Sequence, residues 1–260
     1  MNIKPTPFAG AARPSMHSDA AAAPLKPNLL VFGDSLSDNG NTNALAPIAG
    51  HFNGRFTTSY VWNEYTAKLL DTNLINMAHG YATTDNELTV GVHNNHTIPS
   101  LHNQVTQWLQ QNRQISQFNL DNDIVSVAIG SNDLLNNQDA LLHAKINPFT
   151  FASQLAKNIA RDVMLLKNAG YKNIFVWNLP AANKTPMFAN TPVKRTIVNG
   201  AISALNTAIS VALIPAKNQG VHLLDLNDLV GTCLRSEVLR ELQITNSKGS
   251  CYADGRFDGT

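Results

Sequence analysis

The chain is poor in charge, in cysteine and in long apolar stretches. Its 260 residues carry 19 Lys and Arg against 18 Asp and Glu, and no basic stripe is present, which argues against nucleic acid as a partner. No apolar run reaches the about 18 residues of a membrane-spanning helix, so no span is predicted. The two cysteines, Cys233 and Cys251, are compatible with one disulfide in an oxidising compartment or two thiols in a reducing one.

Residues 1–27 lack both a periodic apolar pattern and the continuous apolar core of a signal peptide. They are rich in proline and alanine. We interpret them as a disordered leader, a translocation segment or sequence introduced for expression. Residues 28–260 are predicted to form one folded domain. The whole chain is 43% hydrophobic, which is ample for the core of such a domain.

From residue 29 onward, apolar runs alternate with segments of helical periodicity. Strands are predicted over residues 29–32, 73–78, 124–129, 174–177 and 221–224. Helices are predicted over residues 61–69, 101–109, 155–166 with an end at Gly170, 197–212 and 229–242. Connections of this length favour parallel pairing with right-handed crossovers. The predicted fold is therefore an α/β, three-layer α/β/α sandwich with a parallel sheet, of the flavodoxin-like kind.

Polar loops follow the first three predicted strands, and in a parallel sheet they share one edge. Residues 31–41, VFGDSLSDNGN, deliver Ser35 into a turn directly after the first strand. A serine hydroxyl is a weak nucleophile that needs a base within hydrogen-bond reach, and a turn serine can also simply cap a helix. The length of the pattern favours the nucleophile.

This run resembles the nucleophile block of the GDSL (SGNH) hydrolases, which include esterases, lipases and acyltransferases. Residues 130–133, GSND, resemble the family's Gly-x-Asn-Asp block, which implies that Asn132 and the Ser35 backbone N–H are oxyanion-hole donors. Residues 76–84, NMAHGYATT, resemble the block Asn-x-Ala-x-Gly-Gly-(Ala or Ser)-Thr, with Tyr81 in place of the second glycine. The resemblance implies a third donor, from the backbone N–H of Gly80 or Tyr81.

A Gly-Arg-Phe segment at residues 54–56 also resembles the family, and we interpret Arg55 as a packing and capping residue, with contact to an anionic head group as the alternative. His79 is interpreted as structural, and His93 and His96 as parts of a solvated loop rather than metal ligands. Asp225, after the fifth predicted strand, is likewise interpreted as structural.

The family's last block, Asp-x-x-His, which supplies the base and its orienting acid, is absent from residues 1–260. Either the block has diverged, with Asp254 retained and Phe257 in place of the histidine, or residues 250–260 correspond to the segment that precedes the block in relatives. The second explanation is the one we favour. It places the Asp-x-x-His block beyond Thr260.

The long form of the nucleophile block most resembles the bacterial secreted branch of lysophospholipases and lipid acyltransferases. The resemblance implies a serine esterase acting on lipid esters, as a phospholipase A, a lysophospholipase or an acyltransferase, through an acyl-serine intermediate. It implies no metal and no organic cofactor, an ester or phospholipid substrate, transient contact with a membrane surface, and secretion or export. The alternatives are a catalytically incomplete lipid- or partner-binding protein and a carbohydrate O-acetyl esterase.

Overall fold

The computed structural model describes residues 25–48, 52–112, 118–188, 191–247, Gly249 and the pairs 252–253 and 256–257. The strands are β1 Asn28–Gly33, β2 Asn73–Asn76, β3 Val92–His93, β4 His96–Thr97, β5 Ile124–Ala128, β6 Asn173–Trp177, β7 Val221–Leu224, β8 Tyr252–Ala253 and β9 Arg256–Phe257. The helices are α1 Asn41–Leu45, α2 Trp62–Leu69, α3 Leu101–Gln111, α4 Ser131–Leu142, α5 Pro148–Asn168, α6 Pro192–Ala212, α7 Leu226–Cys233 and α8 Ser236–Glu241.

Five strands form one parallel sheet in the order β2-β1-β5-β6-β7. Strand β1 lies inside this sheet and all six of its residues are buried, because helices cover both of its faces. The pairs β3–β4 and β8–β9 are separate two-stranded antiparallel ladders. This parallel sheet, with helices packed on it, confirms the predicted α/β class.

Different helices pack on the two faces of the sheet. Leu30 and Phe32 point into the larger core, which they share with the apolar sides of α3, α5 and α6. Leu29 and Val31 point the other way and pack with Ala67 of α2 in a smaller core. Successive side chains of a strand alternate between faces, so one apolar run serves both layers. Within the described residues, no helix has the length and apolar character needed to cross a membrane.

Several predicted boundaries were wrong. The helix predicted over residues 229–242 is two helices, α7 and α8, because Arg235 is extended between them and neither helix buries a residue. Helix α5 begins at Pro148, where the Asn147 side chain accepts the N–H groups of the first turn. Helix α4 was not predicted, because its opening residues, Ser131 to Asp133, are also typical of turns.

The hairpin β3–β4 was predicted to be a loop, and β2 ends at Asn76 rather than Ala78 because the Asn76 side chain accepts the Ala78 N–H. The predicted helix end at Gly170 is confirmed, since Gly170 follows the α5 cap with a φ of +110°.

At the carboxyl end of β1, the backbones of β1 and β5 approach each other closely. A Cβ on Gly33 would overlap the Ala128 carbonyl oxygen of β5, so only glycine fits at the last position of β1. The Gln104 side chain of α3 donates to the Gly33 carbonyl and accepts its N–H, both at 3.0 Å. These contacts hold the residue that precedes Asp34 and Ser35.

Candidate active site

Ser35 lies in a tight turn that follows β1 at the carboxyl edge of the sheet. The Asp34 carbonyl accepts the N–H groups of Ser37 and Asp38, both at 3.0 Å, and the Asp34 side chain accepts the Leu36 N–H at 3.0 Å. The turn is therefore closed by its own backbone, while Ser35 stays half-buried and Leu36 is exposed.

Two buried carboxyl groups lie in the blocks that carry Ser35 and Asn132. Burial raises the pKa of Asp34 from its ordinary 3.8 to about 7, and its hydrogen bond from Leu36 offsets only part of that effect. Burial also raises the pKa of Asp133 to about 7, against the hydrogen bonds that it receives from Thr84. The charge of Asp34 contributes to the raised pKa of Asp133, so the two groups are electrostatically coupled.

Ser35 and Asn132 line one cavity of about 630 Å³. Most of its other lining residues are apolar, and they come from the turn after β1, α2, the ends of β5 and β6, α4, the segment after β6, and α7: Leu36, Trp62, Ala128, Leu135, Trp177, Pro180, Ala181, Ala182, Met187, Phe188, Leu226, Leu229 and Val230. The remaining lining residues are polar, namely Asp34, Ser37, Ser131 and Thr185. The rings of Trp62 and Trp177 meet edge to face with centroids 5.9 Å apart. Their indole N–H groups are bonded to the hydroxyls of Ser37 and Ser126, which leaves the rings as apolar walls.

Hydrogen bonds join the beginning of α4 to the loop that follows β2. The Asn132 side-chain amide donates to the Ala82 carbonyl at 2.9 Å, and the next residue, Asp133, accepts both the backbone N–H and the hydroxyl of Thr84. An amide has two N–H bonds, so this contact leaves the second one of Asn132 for a ligand in the cavity.

The loop of Gly80 and Tyr81 sits at the same edge but outside the lining of the cavity. The Gly80 N–H, one of the two alternative donors predicted from the sequence, donates to Asp38 at 2.8 Å. A Cβ on Gly80 would overlap the Phe56 ring, so glycine is required there. Tyr81 is in the left-handed region with a φ of 66°, and its ring meets Phe56 edge to face and stacks on His93 at 4.6 Å.

No histidine from the described part of the chain lines the cavity. His79, which precedes Gly80 in the chain, bonds its Nδ1 to the Met77 carbonyl at 2.9 Å. Burial lowers the pKa of His79, which favours the neutral ring. Both observations agree with the structural role predicted for it.

A charged network that was not predicted from the sequence joins α3, α5 and the loop after β2. His102 Nδ1 lies 2.7 Å from an oxygen of Asp162, whose carboxyl is fully buried. Arg161 bonds both Asp162 and Asp85. The pairing spans 60 residues, so no local motif announces it.

The remaining predicted residues have structural contacts. Arg55 makes a two-pronged ion pair with Glu64, which also accepts the Val61 N–H at the start of α2, as expected for a capping element. The Asp225 side chain caps α7 by accepting the Asp228 N–H. No cluster of three or more potential metal ligands occurs among the described residues. Cys251, most of residues 248–260 and the leader up to residue 24 are not among the residues that the structure describes. The predictions for these residues therefore stay predictions.

The three-layer α/β/α fold presents a serine in a tight turn at the carboxyl end of the first strand of the sheet. A model of the GDSL-like lipase/acylhydrolase family matches residues 29–260. The chain belongs to this family, whose members are generally ester hydrolases.

Individual proteins are similar to this chain in sequence or in structure. The thermolabile hemolysin of Vibrio parahaemolyticus is 27% identical over 213 residues, covering 79% of this chain and 47% of that protein, so the chain spans about half of the curated relative's length. A catalytic mutant of an acetylxylan esterase from Geobacillus stearothermophilus has a TM-score of 0.50 at 14% identity, over 82% of this chain and 81% of that one. Phospholipase A1 from Streptomyces albidoflavus has a TM-score of 0.46 at 18% identity, over 76% and 78%. Structures this distant bear on the fold alone.

Proposed function

We propose that the protein is a serine esterase that acts on lipid esters through an acyl-serine intermediate. The observation that carries the proposal is the cavity of about 630 Å³, in which Ser35 and Asn132 face walls that are otherwise mostly apolar. Its volume lies in the usual range for small-molecule sites. A nucleophile at the edge of an apolar cavity suits an ester whose acyl chain is buried beside the reacting carbonyl.

In the proposed mechanism, the Ser35 oxygen attacks the ester carbonyl and passes its proton to a base. The Asn132 amide and the Ser35 backbone N–H stabilise the oxyanion. We assign the third donor to Tyr81 rather than Gly80, because the Gly80 N–H donates to Asp38. The tetrahedral intermediate then expels the alcohol, which takes up the proton, and water or an acceptor alcohol releases the acyl group from Ser35.

The base in this mechanism is a histidine supplied from outside the described residues. The histidines described here do not line the cavity, and the partners of His79 and His102 are a backbone carbonyl and Asp162. By the resemblance to the family, we propose that this histidine belongs to an Asp-x-x-His block.

The walls of the cavity favour a lipid over an acetylated sugar. Each methylene of a buried acyl chain contributes about 0.8 kcal/mol to binding. Much of a carbohydrate at the same place would lie against the two Trp rings and the Leu, Met and Phe side chains, which offer its hydroxyl groups no hydrogen bond, and a buried polar group without a partner is costly. The predicted phospholipase A and lysophospholipase activities, with acyl transfer as a variant, remain our proposals for the substrate.

The test compares nitrophenyl esters of increasing acyl length, and a lysophospholipid, with wild type, Ser35→Ala and the matched control Ser203→Ala on the distant helix α6. We expect kcat/KM to rise from the acetyl ester to chains of eight or more carbons, and Ser35→Ala alone to lose turnover. An acetyl ester that is the fastest substrate would favour the O-acetyl esterase. Absence of turnover, with no fluorophosphonate adduct on Ser35, would favour the non-catalytic binding protein.

We further propose transient contact with a lipid surface, and export from the cell as the setting for it. Three large side chains that line the cavity are also exposed to solvent, namely Leu36 at 48%, Met187 at 68% and Leu229 at 49%. Exposed apolar groups at the opening would meet a lipid surface when the acyl chain enters. Vesicle sedimentation tests this contact: Met187→Asp should weaken binding to phosphatidylcholine vesicles, whereas Phe149→Asp, an exposed position on α5, should not.

A further inference from the structure

The side chain of Asp38, which the proposed mechanism does not use, binds four backbone N–H groups. One oxygen accepts those of Gly40 at 2.8 Å and Asn41 at 2.7 Å, and the other accepts those of Thr42 at 3.1 Å and Gly80 at 2.8 Å. The Asp38 side chain is fully buried. Three of its bonds are local, whereas the fourth reaches 42 residues along the chain, to the loop after β2.

We propose that Asp38 is a positioning residue for the oxyanion hole, and that it acts by fixing the peptide plane that carries the Tyr81 N–H. This inference rests on the proposed function, and in particular on the assignment of that N–H as a donor.

The geometry around Gly80 supports this role. Its N–H is held by Asp38, and its carbonyl accepts the Thr42 hydroxyl at 3.4 Å. The N–H of Thr42 is held by the same Asp38 oxygen. The Gly80 carbonyl and the Tyr81 N–H belong to one planar, trans peptide unit, so fixing the carbonyl also fixes the direction of the N–H. Asp38 thus controls this unit directly and through Thr42.

Asp38 is also joined to the turn of the nucleophile. Its own N–H donates to the Asp34 carbonyl at 3.0 Å, and the Ser37 carbonyl between them accepts the side-chain amides of Asn63 and Asn76, both at 2.7 Å. Asp38 therefore joins the serine turn to the loop of Tyr81, beside the side-chain amides of Asn41 and Asn76, which bridge the serine turn and the end of β2. Displacements of about 1 Å between such groups cost large factors in rate.

Only a carboxylate can accept all four bonds. An ionised Asp offers acceptor sites on both oxygens, whereas Asn presents an NH2 group, which would face two backbone N–H groups in either orientation of its amide. Asp38→Asn preserves shape and removes the function, which makes it the primary variant. Thr42→Val is the second variant, because it removes the hydroxyl contact with the Gly80 carbonyl and leaves the carboxylate in place.

The matched control is Asp123→Asn. Asp123 is also buried, at 1% exposure, and it accepts the backbone and side-chain N–H groups of Asn28 at 2.7 and 3.0 Å. These bonds lie at the amino edge of β1 and β5, at the opposite end of the strands from Ser35. Asp123→Asn therefore also removes a buried hydrogen-bond acceptor, but at a position that does not contact the candidate site.

The experiment measures kcat and KM on the best ester of the acyl series, together with amide hydrogen exchange at Gly80 and Tyr81. For Asp38→Asn we expect kcat to fall by about 10- to 100-fold, with KM within about twofold of the wild-type value. The fall in kcat should not exceed that caused by losing one donor of the oxyanion hole. Thr42→Val should lower kcat in the same sense by less, and Asp123→Asn should leave kcat within about twofold. Exchange should accelerate at Gly80 and Tyr81 in Asp38→Asn only.

A fall confined to KM, or equal losses of kcat in Asp38→Asn and Asp123→Asn, would overturn the proposal. If wild type itself lacks Ser35-dependent turnover, the proposed function fails, and the exchange measurement then decides the role of Asp38 separately. Unchanged exchange at Gly80 and Tyr81 in Asp38→Asn would refute the positioning role in that case as well.

Discussion

Asp34→Asn should stabilise the protein, and the gain should grow with pH. Asp34 is 1% exposed, and its side chain accepts a hydrogen bond from the Leu36 N–H. Burial raises the pKa of Asp34 to about 7. Asn keeps the shape and the acceptor for Leu36, but it has no charge to bury. The variant therefore isolates the cost of ionising a carboxyl group inside the site.

The direction and size follow from proton linkage. The folded state has the higher pKa, so between pH 4 and 7 it binds more protons than the unfolded state, and stability falls as pH rises. The shift from 3.8 to about 7 corresponds to a cost of about 2 kcal/mol at pH 5 and about 4 kcal/mol at pH 8. Asp34→Asn is relieved of this cost, so its advantage in unfolding free energy should widen by about 2–3 kcal/mol between these pH values.

The assay is urea unfolding of both proteins at pH 5, 6, 7 and 8, followed by far-ultraviolet circular dichroism. Asp225→Asn is the control, because hydrogen bonds, the first from the Asp228 N–H, lower the pKa of Asp225. A group with a lowered pKa is ionised in both states throughout this range, so the difference from wild type should be constant.

Parallel stability curves for Asp34→Asn and wild type would refute the reasoning, since they would show that Asp34 is ionised without cost in the folded state. Asp133→Asn should show the same trend, because burial raises the pKa of Asp133 to about 7 too.

Three further predictions concern single side chains. Asn132→Ala should lower kcat by about 10²–10³-fold with little change in KM, measured by steady-state kinetics on the best ester. Arg161→Met should lower the free energy of unfolding by about 1–2 kcal/mol, since the partly exposed guanidinium bonds a fully buried carboxyl group, while Lys26→Met, at a surface pair, should stay within about 0.5 kcal/mol in the same urea assay. Gly33→Ala should cost about 1–3 kcal/mol, because its Cβ would overlap the Ala128 carbonyl oxygen.

Each of these has an outcome that contradicts it. An Asn132→Ala enzyme with wild-type kcat would remove Asn132 from the oxyanion hole. Equal losses in Arg161→Met and Lys26→Met would show that the buried partner of Arg161 adds nothing. A Gly33→Ala protein as stable as wild type would mean that the ends of β1 and β5 can separate freely.

Much of the frame was predictable from sequence, because it depends on local patterns. The apolar run of β1 predicts a buried strand, and the spacing of apolar residues in α3, α5 and α6 predicts helices that cover a sheet. The alternation of strands and helices then restricts the topology to a parallel sheet, since crossovers of this length are right-handed. That topology brings Ser35, Gly80 and Asn132 to one edge.

Boundaries were less predictable where two local preferences compete. Ser131 and Asn132 are typical of both turns and first helical turns, and packing of α4 decided for the helix. The single helix predicted over residues 229–242 rested on periodicity alone. Neither α7 nor α8 buries a residue, so no core contact maintains a continuous helix across Arg235.

The sequence by itself determined the class of protein and the position of its candidate nucleophile, because a strand, its turn and the motif they carry are contiguous. Only the tertiary structure decided which partners meet across the chain: Asp38 with Gly80, Asp162 with His102, and α2 with α7 around one apolar cavity. The type of a hydrogen-bond acceptor or an apolar side chain does not specify which distant residue it will contact. Their partners are selected when the layers pack and each buried group must find the contact that offsets its loss of water.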